Sequence, residues 1–211
     1  MLNKMAIRPP LPWPVILKTP RLILRPYEAS DYAAWAEGFQ ARGPARNEFD
    51  EGPRSAAALN RARFRRILKI NRERARDDVG YMWAIFEKKT GRVVGWLDLY
   101  IFIRGGTQAA NFGYCLHNQH WGKGFAREAA RAVALGAFRH LKVHRLEASI
   151  APDNRASLRL IKALGFRKEG RRARSDWRDG KWQDDLIYAA IPEDFRLPMP
   201  GPRVQRGRYR V

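Results

Sequence analysis

The chain has 211 residues, of which 45% are hydrophobic, so it can bury one substantial core and is not a wholly disordered polypeptide. Lysine and arginine number 41 against 21 acidic residues, and the net charge of +20 predicts an anionic partner such as nucleic acid or a polyphosphate ligand. The single cysteine, Cys115, excludes a disulfide within the chain and a zinc site made of cysteines.

The first 17 residues read as a proline-rich N-terminal arm, with prolines at positions 9, 10, 12 and 14, either packed on the outside or mobile. These prolines interrupt the apolar segment that a signal peptide needs, and no run approaches the length of a membrane span. We therefore expect no membrane partner and a cytoplasmic location.

A single domain is predicted over residues 18–195. Its first half is predicted to contain a strand at 21–26, a helix that Ser30 and Asp31 cap, a loop at 42–54 and a helix over about 55–76. Strands are predicted at 81–87, 92–103 and 111–116. The Lys89-Thr90-Gly91 turn joins the first two of these strands, which favours an antiparallel meander.

The second half alternates helices and strands. A helix is predicted from Gly122 to about Arg139, with its alanines buried and with Arg127, Glu128 and Arg131 outside. Strands are predicted at 145–150, 166–175 and 181–190, and a short helix starts at Asn154. Residues 196–211 form a basic C-terminal tail that has nothing to bury, so we expect it to be disordered.

Basic residues form three groups along the sequence. In chain order, these groups are Arg61, Arg63, Arg65, Arg66, Lys69, Arg72, Arg74 and Arg76; then Arg171, Arg172, Arg174 and Arg178; then Arg196, Arg203, Arg206, Arg208 and Arg210. Solvation of the surface is the alternative for any single arginine. Because solubility needs only a modest net charge, the three groups together favour a docking surface for RNA or another polyanion.

The four histidines, His117, His120, His140 and His144, raise the question of a metal site. Their spacing does not fit the H-E-x-x-H pattern, and two of them flank a predicted helix-to-strand connection. We therefore predict no metal site and expect each histidine to be a partly exposed surface or loop residue.

The segment Gln119-His120-Trp121-Gly122-Lys123-Gly124-Phe125-Ala126 joins the strand at 111–116 to the helix after it. Its two glycines allow a sharp turn and a close approach to a ligand, while the first N–H groups of a helix have no internal partners. This combination predicts an anion-binding cradle. The spacing fits neither the P-loop nor the full G-x-G-x-x-G of a dinucleotide site, and a simple strand-to-helix turn is the alternative.

A second motif follows about thirty residues later. It consists of Asn154-Arg155-Ala156-Ser157, a short helix, and Leu164-Gly165-Phe166. The Q-x-x-G-x-G segment followed by N-x-x-S, helix and L-G-F resembles the GNAT superfamily of N-acetyltransferases in order and spacing. Over residues 19–195, the chain is similar to the RimJ/RimL branch, which acetylates N-terminal amines of ribosomal proteins.

The resemblance implies an α/β (α+β) fold, a single domain with a central mixed, mostly antiparallel sheet flanked by helices. It also implies acetyl-CoA as the acetyl donor and an amine as the acceptor. By family correspondence, the cofactor-binding residues would be Tyr114, Cys115, Leu116, Gln119, Gly122, Lys123, Gly124, Phe125, Ala126 and Asn154. Helix capping is the second role open to Asn154.

Two catalytic residues follow from the same resemblance. Ser157 corresponds to the family serine near the sulfur, which can donate to the departing thiolate. Asp176 stands where the RimL type has a glutamate proposed as the general base, although a solvated turn aspartate is an alternative. The family's tyrosine acid is replaced by Ile161, which cannot give a proton, so Ser157 or water must do so.

The function expected from these observations is acetylation of an N-terminal α-amine of a ribosomal or other protein, with ribosome or RNA contact through the basic surfaces. A small-molecule amine acetyltransferase for an antibiotic, polyamine or amino acid is one alternative. A non-catalytic GNAT scaffold that binds ribosome or RNA is another. The sequence leaves both a monomer and a homodimer open.

Overall fold

The computed structural model describes residues 13–178 and 180–198. This part of the chain contains eight strands: β1 Leu17–Lys18, β2 Leu22–Arg25, β3 Gly80–Glu87, β4 Val93–Ile103, β5 Ala109–Leu116, β6 Arg145–Ile150, β7 Arg167–Arg178 and β8 Lys181–Ala190. Its four α-helices are α1 Tyr32–Gln40, α2 Arg61–Arg76, α3 Phe125–Arg139 and α4 Arg155–Ala163. No helix among the described residues is both long and apolar enough to cross a membrane.

The eight strands form one sheet in the order β1-β2-β3-β4-β5-β6-β8-β7. Neighbouring strands are antiparallel except for β5 and β6, which are parallel. The expected mixed, mostly antiparallel sheet is therefore confirmed. The parallel ladder joins Ala109–Asn111 to Arg145–Glu147 and then stops, although both strands continue.

Each face of the sheet has its own apolar core. The larger core includes α3, where alanines at the buried positions let the helix lie close to the strands. The smaller core includes Trp35 of α1 and Phe64 of α2. Trp83 of β3 is fully buried and donates its indole N–H to the Val15 carbonyl at 2.7 Å, so the chain before β1 is bound to the sheet.

The two predicted terminal segments fall largely outside the described residues. These are positions 1–12 of the arm and 199–211 of the tail. Within the described part, the Trp13 ring lies 4.9 Å from that of Tyr81 and 5.1 Å from that of Trp83, so the end of the arm packs on β3.

Two helices begin later than their sequence patterns suggested. The helix expected over 55–76 begins at Arg61, because the Asn60 side chain accepts the Arg63 N–H at 2.9 Å and caps it. The eight basic residues of the first group, named above, are exposed on this helix. The helix expected from Gly122 begins at Phe125, because Gly122 and Gly124 adopt positive φ.

The expected exposure is wrong for two histidines. His117 is fully buried and His120 is 7% exposed, because both lie on the turn after β5 that α1 covers. The His117 ring packs 4.7 Å from Phe39, and neither of its nitrogens has a hydrogen-bond partner among the described residues. Burial lowers the pKa of His117 to about 3, so the ring is neutral at pH 7.

This buried histidine predicts a loss of stability in mild acid. As the pH falls from 6.5 to 4.5 the unfolded chain gains a proton that folded His117 excludes, so the free energy of unfolding should fall with a slope that steepens to about 1.4 kcal/mol per pH unit. The pH dependence should flatten in His117→Phe, as measured by urea unfolding across that range. The control His140→Gln changes an exposed histidine. Equal slopes in wild type and His117→Phe would contradict the prediction.

Candidate active site

The separation of β5 from β6 creates a cleft at the end of the parallel ladder. Beyond Asn111, β5 continues through Leu116 with one edge paired to β4 and the other edge facing the cleft. A cavity of about 380 Å³ lies at this point. It is lined by Phe49, Phe112, Gly113, Tyr114, Ala148, Ser149, Ile150, Ala151, Asn154, Ser157, Asp176, Arg178 and Asp185.

The glycine turn before α3 has the backbone geometry expected of an anion cradle. Gly122 and Gly124 have φ of 80° and 77°, and the first α-helical N–H bond runs from Glu128 to the Gly124 carbonyl at 3.2 Å. The N–H groups before Glu128 therefore point out of the helix end. Lys123 is exposed on the turn, and Phe125 is buried beneath it. Ala126 is partly exposed in the first helical turn.

The N–H groups that are free to face a ligand occupy a shorter segment than residues 119–126. The N–H groups of His120 and Trp121 bond to the carbonyls of His117 and Asn118, because the chain makes a 3-10 turn before the glycines. The Gln119 side chain donates to the Gly38 carbonyl of α1 at 3.0 Å. Gln119 thus anchors the turn against α1, and the outward N–H groups begin at Gly122.

An ionic contact that the sequence did not reveal supports the cradle. Glu128, expected outside, is partly buried because it accepts hydrogen bonds from Thr19 at 2.6 Å and from the Arg21 guanidinium at 2.6 Å. Burial opposes ionisation, but these bonds hold the pKa of Glu128 below its usual value. Arg21 also donates to the Lys123 carbonyl at 2.9 Å, so a cation offsets the Glu128 charge beside the cradle.

The three predicted cofactor-binding residues of the strand lie along β5 as expected, but each has different surroundings. They are Tyr114, Cys115 and Leu116. Tyr114 lines the cavity, and its hydroxyl donates to the Ser157 carbonyl at 3.3 Å. Burial raises the pKa of Cys115 to about 11, so its thiol stays protonated. The Leu116 carbonyl accepts the Trp121 indole N–H at 2.8 Å, which fixes the chain between strand and cradle.

Asn154 and Ser157 occupy the first turn of α4. The Asn154 side chain accepts the Ser157 N–H at 3.1 Å, so the capping role is observed. Both residues also line the cavity, as the resemblance requires. Contact with pantetheine and with the sulfur stays a prediction for each of them.

Two carboxylates line the cavity, although the sequence motifs point to only one of them. Asp176 of β7 is about half exposed, and its Oδ2 lies 2.7 Å from Arg178 Nε. Asp185 of β8 is buried, with 9% of the residue exposed. No motif marks Asp185, because its place in the cavity depends on the pairing of β8 with both β6 and β7.

The loop at 42–54 reaches this cavity through Phe49, and a buried ion pair holds the loop in place. Arg42 Nη2 lies 2.5 Å from Asp50 Oδ1, with both side chains almost completely buried. Asn118 donates to Asp50 at 2.8 Å and accepts the Gly43 N–H at 2.8 Å. The turn after β5 and the wall of the cavity are therefore one connected unit.

The sequence matches a model of the acetyltransferase (GNAT) domain over residues 21–167, which is more than half of the chain. The chain belongs to the GNAT family of acetyltransferases. A probable N-acetyltransferase of Bacillus subtilis (strain 168), YjcK, is 38% identical over 130 residues, covering 62% of this chain and 72% of that protein. The [ribosomal protein uS5]-alanine N-acetyltransferase of Escherichia coli (strain K12) is 29% identical over 115 residues, covering 54% of this chain and 59% of that enzyme.

Among solved structures, Mycobacterium smegmatis RimJ in complex with CoA-disulfide superposes with a TM-score of 0.73 at 25% identity. The match covers 90% of this chain and 91% of that one. The protein is thus a GNAT acetyltransferase that uses acetyl-CoA and an amine acceptor. Bound acetyl-CoA supplies the thioester, and a glycine turn beside a free strand edge suits a ligand with a diphosphate and amide groups.

The cradle predicts different outcomes for two glycine substitutions. Gly124→Ala and Gly105→Ala both force alanine into positive φ, 77° and 70°, so each should lose about 1–2 kcal/mol of unfolding free energy. Only Gly124→Ala should also weaken CoA binding, because Gly105 lies on the β4–β5 turn, at the other end of β5 from the cradle. Calorimetric titration with CoA measures this, and equal affinities in the two variants would contradict the cradle.

Proposed function

We propose that the enzyme acetylates the N-terminal α-amine of a protein, a ribosomal protein first among them. The observation that carries the proposal is the cavity at the β5–β6 separation, where Ser157 and two carboxylates converge beside the free edge of β5. The names of two relatives support it, since the E. coli enzyme acts on ribosomal protein uS5 and the mycobacterial one is a RimJ.

The chemistry of an α-amine suits such a cavity. An α-amine has a pKa near 8, so roughly a tenth is neutral at pH 7, whereas a lysine amine near 10.4 needs a stronger base. In the proposal the backbone N–H groups from Gly122 to Ala126 hold the diphosphate, and the β5 edge at 114–116 holds pantetheine. Ser157 donates a proton to the departing thiolate, and the cavity carboxylates attract the amine.

The basic surface of α2 supports an anionic complex as the setting of the reaction. Five exposed residues follow one another at spacings of four, four, three and four, which aligns them on one side of the helix: Arg61, Arg65, Lys69, Arg72 and Arg76. A row of cations along a helix fits the phosphates of a nucleic acid strand. We therefore propose that the enzyme docks on ribosomal RNA near its acceptor, which implies a cytoplasmic location.

A small-amine acetyltransferase is the second candidate. The two carboxylates would suit a cationic small molecule, but the net charge of +20 slows the encounter with a polycation. A protein N-terminus carries one local positive charge, so its attraction to the cavity can outweigh this repulsion at short range.

Thiol release in an acceptor panel tests the proposal. Acetyl-CoA is supplied with ribosomal N-terminal peptides, with the same peptides blocked at the N-terminus but containing lysine, with small amines, or with ribosomes. We expect release with free N-termini and little with blocked peptides. Release with small amines alone would support the second candidate, and ribosome binding without any release would support a scaffold.

Ser157→Ala should slow turnover by roughly tenfold to a hundredfold and leave CoA affinity nearly unchanged, because only the proton donation is lost. Steady-state rates and CoA titration measure the two effects. Ser30→Ala, a change at an exposed serine far along the chain from the site, is the matched control. A rate equal to wild type would remove Ser157 from the mechanism.

The α2 surface gives a separate prediction. The triple variant Arg65→Gln/Lys69→Gln/Arg72→Gln should bind ribosomal RNA more weakly and with a log–log salt slope reduced by about two to three. The control Lys89→Gln/Arg139→Gln/Lys162→Gln removes the same charge from scattered exposed positions. Equal slopes for the two variants, measured by filter binding between low and physiological salt, would show that α2 is not the docking surface.

A further inference from the structure

Asp185 is a buried carboxylate that accepts only long hydrogen bonds from its neighbours. It lines the same cavity as Ser157, and only 9% of the residue is exposed. Its Oδ1 lies 3.3 Å from Arg178 Nη2, and its Oδ2 accepts from Ser175 Oγ at 3.5 Å. Both distances exceed the 2.7–2.9 Å typical of charge-assisted bonds, so the carboxylate can still accept a strong donor.

Arg178 satisfies Asp185 only weakly, because its hydrogen bond to that carboxylate is 3.3 Å long. The Arg178 Nε lies 2.7 Å from Asp176 Oδ2 but is not aligned for a hydrogen bond, and the Asp176 side chain is 48% exposed. The two carboxylates therefore differ: Asp176 lies beside a cation and is open to solvent, whereas Asp185 is buried and accepts only long hydrogen bonds. A desolvated anion that faces a cavity is a binding site for a cationic hydrogen-bond donor.

We propose that Asp185 binds the acceptor amine in its ammonium form and takes its proton before acetyl transfer. The inference rests on the proposed function, since it identifies what the cavity recognises in the acceptor. The ammonium gives one proton to the Asp185 carboxylate, and the resulting neutral nitrogen forms the bond to the acetyl carbon. As the carbon–sulfur bond breaks, the nitrogen loses its second proton and the thiolate gains one by way of the Ser157 hydroxyl, so that amide and thiol are the products; Asp185 then releases its proton to solvent.

The charges around Asp185 fit this role. Burial raises the pKa of Asp185, Arg178 opposes that rise, Asp176 adds to it and Arg172 opposes it. Among the described residues that line the cavity, Tyr114 is the ionisable group from β5, and burial raises its pKa, so it stays neutral. An aspartate with a raised pKa accepts a proton from an ammonium more readily than an ordinary aspartate.

The pH dependence of the variants tests the proposal. Asp185→Asn can use only neutral amine, which is about a tenth of the acceptor at pH 7 and about nine-tenths at pH 9. At pH 7 its kcat/KM should therefore fall at least about tenfold, mainly through KM, and the deficit should shrink at least about threefold by pH 9. The matched control Asp184→Asn removes the neighbouring carboxylate of β8, which is bonded to Arg171 and does not line the cavity, and should change kcat/KM by less than about threefold.

Folding is checked by CoA affinity and thermal unfolding, and Asp185→Ser replaces the asparagine variant if that variant does not fold. A deficit that is constant from pH 7 to 9, or one larger in Asp184→Asn, would overturn the proposal. The proposed function is tested separately from the role of Asp185, by which acceptor the wild-type enzyme acetylates. If wild type acetylates only small amines, the proposed function fails, and the same pH comparison with that amine still tests Asp185. No turnover with any amine overturns both.

Discussion

The short parallel ladder between β5 and β6 is the constraint on which the site depends. Because pairing stops after Asn111, the edge of β5 is free over the next five residues and a cavity opens between the strands. Helix α3 follows β5 and α4 follows β6, so both helices begin at the end of the sheet where the strands separate. One topological feature thus brings together a strand edge, two helix N-termini and the cavity.

Ionic contacts fix the segments that the sheet does not hold. Glu128 at the start of α3 is joined to Arg21, and Asp50 in the loop at 42–54 is joined to Arg42. The second pair is buried, so removing one partner would leave an uncompensated charge and cost about 3–5 kcal/mol. Because Asn118 bonds to Asp50, the loop that carries Phe49 to the cavity is coupled to the turn before the cradle.

The sequence predicted those features of the fold that depend on a short stretch of residues. The apolar runs of β3 and β4, the glycines before α3 and the Asn154 cap are short-range signals, and each is observed. Contacts between distant segments were not predictable. His117 is buried because α1 covers it, Glu128 is buried because Thr19 reaches it, and Asp185 reaches the cavity through non-consecutive strand pairing. The pattern of a single segment carries no such information.

Surface charges and the cavity carboxylate act on partners at different distances. The net charge of +20 and the exposed row on α2 act over a Debye length of about 8–10 Å and favour a polyanion, whereas Asp185 acts only on a group inside the cavity. The same surface charge slows the approach of a free small cation to that carboxylate. An ammonium attached to a protein within an RNA-rich complex is instead brought close to the cavity by the attraction between that RNA and the basic surface. The opposite signs of surface and cavity therefore favour an acceptor of that kind over a diffusing amine.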